Sequence, residues 1–264
     1  MSQSRSLDSD HLPRDASNRV VSPHPPTLDS SIATSSTSFK FTSGQFAQRQ
    51  LIFRAQVVQQ PERCRMSGFG EKDRRPIDPP PVVKFSLVDP QGGIVAPETI
   101  EVHTLLCHVS LYSADRREPR GLVLNPSASA SDQSSPTLLT PPDSDLEACP
   151  VRNLLGSLTT QARLLRNEVG ELGLYFIFSD LAVRTEGIWT CRFSITDINS
   201  SDREREGDMP ELVATFSEPF HVSPAKSFKG MLDSTPLTKA FSKQGVKLIL
   251  RNVGCSNSDE GQSP

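Results

Sequence analysis

The sequence predicts an all-β sandwich with one or two short helices near its C-terminus. Apolar and polar residues alternate in several short runs, which is the pattern of half-buried strands. Clusters of Gly, Pro, Asn and Asp separate these runs, as turns between strands require. No repeat of the kind that builds solenoids is visible in the 264 residues. About seven to nine short strands in this arrangement are typical of a two-sheet sandwich.

Each strand prediction depends on apolar residues at every second position, which place one face of the strand inward. Val83, Phe85 and Leu87 show this spacing clearly. The stretch that begins at Val151 is interpreted as strand in preference to helix, and Pro219 interrupts one of the runs. The other predicted strands lie at 51–58, 82–88, 103–112, 173–178, 188–195, 213–222 and 246–250.

Two patterns near the C-terminus predict helix starts. Ser223-Pro224 can begin a single turn that Gly230 ends. Further along, Thr235 provides a side-chain cap directly before a proline at the first helical position, and Gly245 stands where a C-terminal cap belongs. The second pattern predicts a short helix between these two residues.

Three segments show no apolar period. Residues 1–46 are rich in Ser, Thr, Pro and Asp and predict a disordered tail. Residues 124–149 predict a flexible insertion within one domain that spans 47–252, and residues 253–264 predict a second disordered tail. Because long loops without structure are uncommon inside a domain, the insertion is either functional or simply tolerated.

Composition limits the classes of function. The net charge of −3 argues against a uniformly basic coat for nucleic acid, although a local patch matters more than the sum. Five cysteines without a CxxC pair suit free thiols in a reducing compartment. No secretory signal and no apolar run of about 20 residues is visible. We therefore expect no membrane segment and a protein of the nucleus and cytoplasm.

The sequence contains none of the short catalytic motifs GxSxG, HExxH or Walker loop, so it gives no support for a catalytic function. His103, Cys107 and His108 are of the residue types that bind zinc. On a strand, however, His103 and Cys107 lie about 13 Å apart and His108 points to the opposite face. We expect these to be ordinary strand residues, and we expect neither an enzyme activity nor a metal or cofactor.

Residues 59–81, called the basic loop below, are the strongest candidate for binding. Pro79–Pro81 stiffens this stretch, and a pre-ordered loop loses less entropy on binding. Arginine suits contact with phosphate and with guanine edges, so the loop is a candidate for binding DNA. Because Glu71 and Asp73 lie in the same stretch, a solvated loop with internal ion pairs is the alternative. The five basic residues are Arg63, Arg65, Lys72, Arg74 and Arg75.

A second basic region follows near the C-terminus. Residues 226–251 contain six basic residues and one acidic residue, beginning with Lys226 and Lys229. In a sandwich this region can lie beside the basic loop and extend one patch, while scattered surface lysines are the alternative. Arg184 and Glu186 precede a glycine turn, where we expect a structural ion pair in preference to a catalytic role.

Four blocks of the sequence belong together: RMSGFGEKDRRPIDPPP (65–81), RNLLGS (152–157), DLAVRTEG (180–187), and AKSFKGM (225–231) with STPL (234–237) and QG (244–245). These four blocks resemble the velvet domain of fungal developmental regulators. The resemblance spans residues 47–252 and is specific, because the blocks occur in the family's order. The Gly-Phe-Gly sequence and the mid-domain insertion are similar to those of the members called VelB and VelC.

This resemblance implies an immunoglobulin-like sandwich, similar to the Rel homology domain, that binds double-stranded DNA through loops. It also implies homodimers or heterodimers with other velvet proteins, and nuclear action in sporulation, light response and secondary metabolism. The family's DNA-contacting loop corresponds to Lys72, Arg74 and Arg75, with Arg63 and Arg65 in support. The resulting hypothesis is a dimeric DNA-binding transcription regulator. The alternative is an interaction module that touches DNA only through a velvet partner.

The sequence departs from the family pattern at three points. Gly70 stands where some members have a further lysine, which removes one phosphate contact. Ser67 stands where relatives often have cysteine. In the fourth block the second lysine is Lys229, two residues later than usual, so the shape of the second basic patch differs.

Overall fold

Fifteen β-strands and one α-helix form the part of the chain that the computed structural model describes, namely residues 35–39, 43–47, 49–70, 74–125, 150–200 and 211–252. The strands are β1 (Ser35–Phe39), β2 (Leu51–Gln59), β3 (Arg63–Arg65), β4 (Val82–Val88), β5 (Leu105–Ser113), β6 (Leu122–Leu124), β7 (Pro150–Arg152), β8 (Leu154–Leu155), β9 (Thr159–Gln161), β10 (Arg163–Arg166), β11 (Leu172–Ile177), β12 (Ala182–Val183), β13 (Gly187–Asp197), β14 (Glu211–Phe216) and β15 (Phe220–Ser223). The helix is α1 (Pro236–Lys243).

Five strands form the first sheet, in the order β1-β2-β4-β11-β10, and every neighbouring pair is antiparallel. Ala55 lies opposite Phe85, which in turn lies opposite Leu174. The rings of Phe53, Phe85 and Phe176 follow one another across the inner face, with centroids 6.2 and 6.4 Å apart. Aromatic contacts of this kind add to the stabilisation from burial alone.

Six strands form the second sheet, in the order β3-β15-β13-β5-β9, with β14 also paired to β13. The long strand β13 pairs with β5 on one side and with β15 and then β14 on the other. Strand β3 runs parallel to β15, while the other pairs are antiparallel. This parallel pairing places the first residues of the basic loop at an edge of the second sheet.

The inner faces of the two sheets meet in one apolar core. Phe53 and Phe85 from the first sheet belong to the same buried cluster as Val109 and Phe193 from the second. The alternating residues that the sequence placed inward in the first three runs are buried. The prediction of an all-β sandwich is therefore confirmed, and the strand preference for the stretch after Val151 is confirmed by β7 to β10.

The start of helix α1 follows the predicted capping pattern. The Thr235 hydroxyl oxygen accepts a hydrogen bond from the backbone N–H of Thr238 at 3.0 Å, and Pro236 occupies the first helical position. The buried side chain of Gln59 donates to the Thr238 hydroxyl at 3.0 Å and to the carbonyl oxygen of Pro80 at 2.7 Å. The helix is thus tied to the end of β2 and to the end of the basic loop.

Helix α1 packs on the outer face of the first sheet and closes a second, smaller apolar cluster. Phe241 is fully buried against Tyr175, with ring centroids 4.9 Å apart. Val82 and Ile177 belong to the same cluster. Outward-facing residues of β4 and β11 are buried here because the helix covers them.

Three predictions about individual segments are wrong. Residues 246–250 form no strand, because Val246 packs in the helix cluster and the backbone of Arg251, directly after the segment, is hydrogen-bonded to Ser234 instead of to a strand. The pattern at Ser223-Pro224 gives a turn closed by Ser227 N–H on the Pro224 carbonyl at 3.1 Å, and no helix. Residues 35–39, within the predicted tail, form β1, since backbone pairing with the edge of β2 needs no apolar pattern.

Some predictions concern residues outside the described ranges. Lys72 is one of these. Glu71 and Asp73, on which the alternative of internal ion pairs depends, lie outside them too, as do residues 1–34 and 40–42 of the first predicted tail, 126–149 of the insertion and 253–264.

Candidate nucleic-acid interface

The basic loop is closed at its base by backbone hydrogen bonds. The N–H groups of Glu62 and Arg63 donate to the carbonyl oxygen of Asp78 at 3.2 and 2.9 Å. In return, the Asp78 N–H donates to the Arg63 carbonyl at 2.8 Å. The two ends of the stretch between these residues are therefore fixed side by side, which limits the conformations of the residues between them.

Further backbone bonds hold the inner side of the loop against the block at 180–187. Ser67 N–H donates to the Val183 carbonyl at 2.9 Å, and Gly68 N–H donates to the Arg184 carbonyl at 3.0 Å. On the returning side, Ile77 N–H donates to the Leu181 carbonyl at 2.6 Å. Because both arms are bound to one segment, the parts of the loop on either side of residues 71–73 are held against the sandwich.

Arg184 joins three segments through its side chain. Its Nη1 donates to the Gly68 carbonyl at 3.0 Å, and its Nε donates to the Arg152 carbonyl at 2.9 Å. Its guanidinium carbon also lies 5.9 Å from the centroid of the Phe69 ring, within cation–π range. The predicted ion pair between Arg184 and Glu186 is wrong, because these carbonyl groups take the guanidinium N–H groups instead.

The block at 152–157 holds the segment around Arg184 in place through hydrogen bonds and close backbone contact. Buried Asn153 accepts hydrogen bonds at its Oδ1 from the N–H and hydroxyl of Thr185, at 3.2 and 3.0 Å. Its carbonyl accepts from Arg184 N–H at 2.9 Å. Gly156 has a positive φ of 101°, and a Cβ there would lie 2.4 Å from the Asp180 carbonyl oxygen. Only glycine permits this close approach of the two blocks.

The thiol of Cys64 links the backbone of the two arms of the loop. The fully buried Sγ lies 3.4 Å from the Arg65 carbonyl and 3.7 Å from the Arg75 carbonyl and donates to them. Burial raises the pKa of this thiol to about 11. The thiol therefore stays protonated at neutral pH and remains a donor to the backbone of Arg75.

Asp78 links the base of the loop to the last described residues. Its buried side chain accepts a hydrogen bond from Leu232 N–H and lies 3.5 Å from Arg251 Nη1. A buried carboxylate needs such partners, because burial without them is costly. Arg251, one of the six basic residues of the second basic region, is thus engaged in an ion pair with Asp78.

The structure places the predicted site residues in different environments. Arg74 and Arg75 are exposed, whereas Arg63 and Arg65 lie partly buried on β3. Lys226 and Lys229 are exposed on the segment after β15. Two surface depressions take up three of these six residues, namely Arg74 in one and Arg63 with Lys229 in the other. Neither depression is lined by Arg65, Arg75 or Lys226.

The first depression, called the lysine depression below, has a volume of about 320 Å³ and brings Arg63 together with Lys229. Glu62 and His221 line it as well. The juxtaposition of β3 with the segment after β15 agrees with the expectation that the second basic region lies beside the basic loop.

The second depression, called the arginine depression below, is shallow and has a volume of about 540 Å³. It is lined by Arg74, Arg152, Arg184 and Asp180. Sequence reasoning did not assign Arg152 to a site and gave Arg184 only an ion pair. The available signal was that both residues fall inside blocks shared with the velvet domain.

Metal binding and membrane insertion are two other classes of function that the described residues bear on. Within the described ranges, no group of three His, Cys, Asp or Glu side chains is placed to hold a metal ion. No described helix has both the length and the apolar character needed to cross a membrane.

Comparison with known proteins identifies the family. The Velvet factor family model matches residues 53–254, a range that contains all four sequence blocks. The chain is 30% identical to a velvet complex protein of Emericella nidulans, over 77% of this chain and 79% of that protein. It is 27% identical to velvet complex subunit 2 of Botryotinia fuckeliana, over 90% of this chain and 82% of that protein. It is 32% identical to the sexual development regulator VELC of Pyricularia oryzae, over 74% of this chain and 40% of that protein. The chain belongs to the velvet factor family.

Proposed function

We propose that this protein is a DNA-binding transcriptional regulator of fungal development, sporulation and secondary metabolism that acts as a dimer with itself or another velvet protein. The observation that supports DNA binding is the basic loop, which exposes Arg74 and Arg75 on a backbone fixed at both ends. Fixed cations lose little conformational entropy when they bind, and arginine makes paired hydrogen bonds to phosphate. Because the net charge is negative, DNA binding would depend on a local basic surface such as this one.

The test compares a loop variant with a charge-matched control. R74A/R75A removes two exposed cations, while R54A/K84A removes two cations from the outer face of the first sheet. We expect the loop variant to bind a duplex selected from a random pool roughly tenfold more weakly. The slope of log affinity against log salt should fall by about 2, because each lost phosphate contact contributes about 0.9. Equal affinity and slope for both variants would contradict the role of the loop.

A second candidate function is an interaction module that reaches DNA only through a velvet partner. It is supported by the two-stranded ribbon of β6 and β7, where Leu122 and Leu124 are exposed by 64% and 61%. Adjacent exposed leucines are more usual at interfaces between proteins than on free surfaces. Gel-shift assays of the pure chain, alone and with a velvet partner, separate the two functions. A shift that needs the partner supports the interaction module.

We also propose that the protein is present in both nucleus and cytoplasm. Entry into the nucleus with a velvet partner is consistent with the short basic stretch at 72–75, whose cations are assigned here to DNA. Fluorescence microscopy of the tagged full chain, with and without the partner gene, tests this proposal. Nuclear exclusion in both strains would contradict it.

A further inference from the structure

The arginine depression concentrates positive charge that the fold does not neutralise. Three arginines and one carboxylate line it, which leaves two uncompensated positive charges. The single acid, Asp180, keeps its charge, but its carboxylate accepts hydrogen bonds from the Ser157 N–H at 3.1 Å and from the Ser157 hydroxyl at 2.8 Å, and forms no ion pair with the arginines within the described ranges. Like charges held close together repel one another unless an anion lies between them.

The three arginines differ in how their side chains are engaged. Arg184 is bound to the neutral carbonyls of Gly68 and Arg152, so its position is fixed but its charge remains. Within the described ranges, the guanidinium groups of Arg74 and Arg152 have neither a hydrogen bond nor an ion pair. Both side chains are therefore available to a ligand, and their planar groups suit phosphate oxygens.

The backbone geometry holds Arg152 in place beside the basic loop. Arg152 is the last residue of β7 and pairs with Leu122 across the ribbon. Its carbonyl receives the same guanidinium that binds Gly68, so β7 and the loop are joined through one side chain. Two free cations from distant parts of the chain thus face one shallow surface that is open to an extended ligand.

We infer that the arginine depression is a phosphate-binding subsite for duplex DNA, in which Arg152 contacts a phosphate next to the one reached by Arg74. This inference rests on the proposed DNA-binding function and adds a binding residue outside the basic loop. A phosphodiester supplies the missing negative charge, and a sugar-phosphate backbone follows a shallow surface better than it enters a closed cavity.

The test measures binding of the full chain to a fluorescent duplex across a salt series, using R152A and the control R54A. R152A should weaken binding roughly five- to tenfold and lower the salt slope by about 1, while R54A stays within about twofold of wild type. R152E should weaken binding further. Because only the backbone of Arg152 takes part in hydrogen bonds within the described ranges, R152A and R152E should keep the wild-type melting temperature.

Each alternative outcome has a distinct meaning. If R74A/R75A weakens binding but R152A behaves as R54A does, this inference is overturned and the proposed function stands. If the wild-type chain shows no salt-dependent binding to any duplex, the proposed function fails and the inference fails with it. Calorimetric titration with inorganic phosphate gives a third arm. Phosphate binding that R152A abolishes, with DNA affinity unchanged, would assign the site to the free ion and overturn the inference.

Discussion

The two depressions beside the basic loop contain similar residues but use their acids differently. In the arginine depression the carboxylate of Asp180 accepts hydrogen bonds from Ser157 and offsets one of three arginine charges, which leaves two positive charges. In the lysine depression the exposed carboxylate of Glu62 has no hydrogen-bond partner within the described ranges and shares the surface with Arg63 and Lys229. The two depressions therefore differ in net charge: three arginines and one acid leave two positive charges in the first, while Arg63, Lys229 and Glu62 leave one in the second.

The largest expected effect comes from breaking the support of the arginine depression with G156A. The added Cβ would meet the Asp180 carbonyl at 2.4 Å in a backbone conformation that alanine rarely adopts. We expect the free energy of unfolding to fall by about 3 kcal/mol, as measured by urea denaturation. Gly170 has a similar positive φ of 86° with nothing near it, so G170A serves as a control that should cost only about 1 kcal/mol. Equal losses would show that the close approach is unimportant.

A second variant, D78N, tests the contribution of the Asp78 side chain at the base of the basic loop, beside which both depressions lie. The neutral amide leaves the partly buried Arg251 without its charged partner, and removing one member of a buried pair is destabilising. We expect a loss of about 2 kcal/mol in the free energy of unfolding. The exposed Asp115, in an ion pair on a surface turn, provides the control D115N, which should leave the stability close to that of wild type.

The smallest effect is expected for E62Q, which tests whether the acid of the lysine depression weakens DNA binding. E62Q removes the acid that partly neutralises Arg63 and Lys229, so DNA affinity should rise roughly twofold with a slightly steeper salt dependence. As a control, E98Q removes an exposed acid from the short 3-10 helix Pro97–Thr99, which lies outside the basic loop, and should leave DNA binding unchanged. Identical behaviour of these two variants in fluorescence anisotropy would mean that Glu62 does not act on the DNA-binding surface.

The fold was largely predictable from periodicity, since β2, β4, β5, β11 and β13 follow alternating runs closely. Short strands were not predictable in the same way. β3 contains three residues and forms because β15 offers an edge for backbone pairing. The run at 246–250 has a strand-like pattern, but tertiary packing against helix α1 overrides it.

The sequence could not predict those parts of the site that are formed by segments distant from one another in the chain. The exposure of Arg74 and Arg75 follows from a stiff, polar loop, and the sequence was sufficient to propose it. The neighbourhood of Arg74 with Arg152 and Arg184 depends on bonds across the sandwich, which no local pattern encodes. The ion pair between Arg251 and Asp78 could not be predicted for the same reason.

The bond between Asp78 and Arg251 also sets how far the chain can be shortened. Its partners are 173 positions apart, and the second lies at the very end of the described region. A version ending at residue 250 would retain every strand and helix α1, yet it would leave a buried carboxylate facing no cation at the root of the basic loop. The folding unit therefore extends through Arg251, beyond its last element of regular secondary structure.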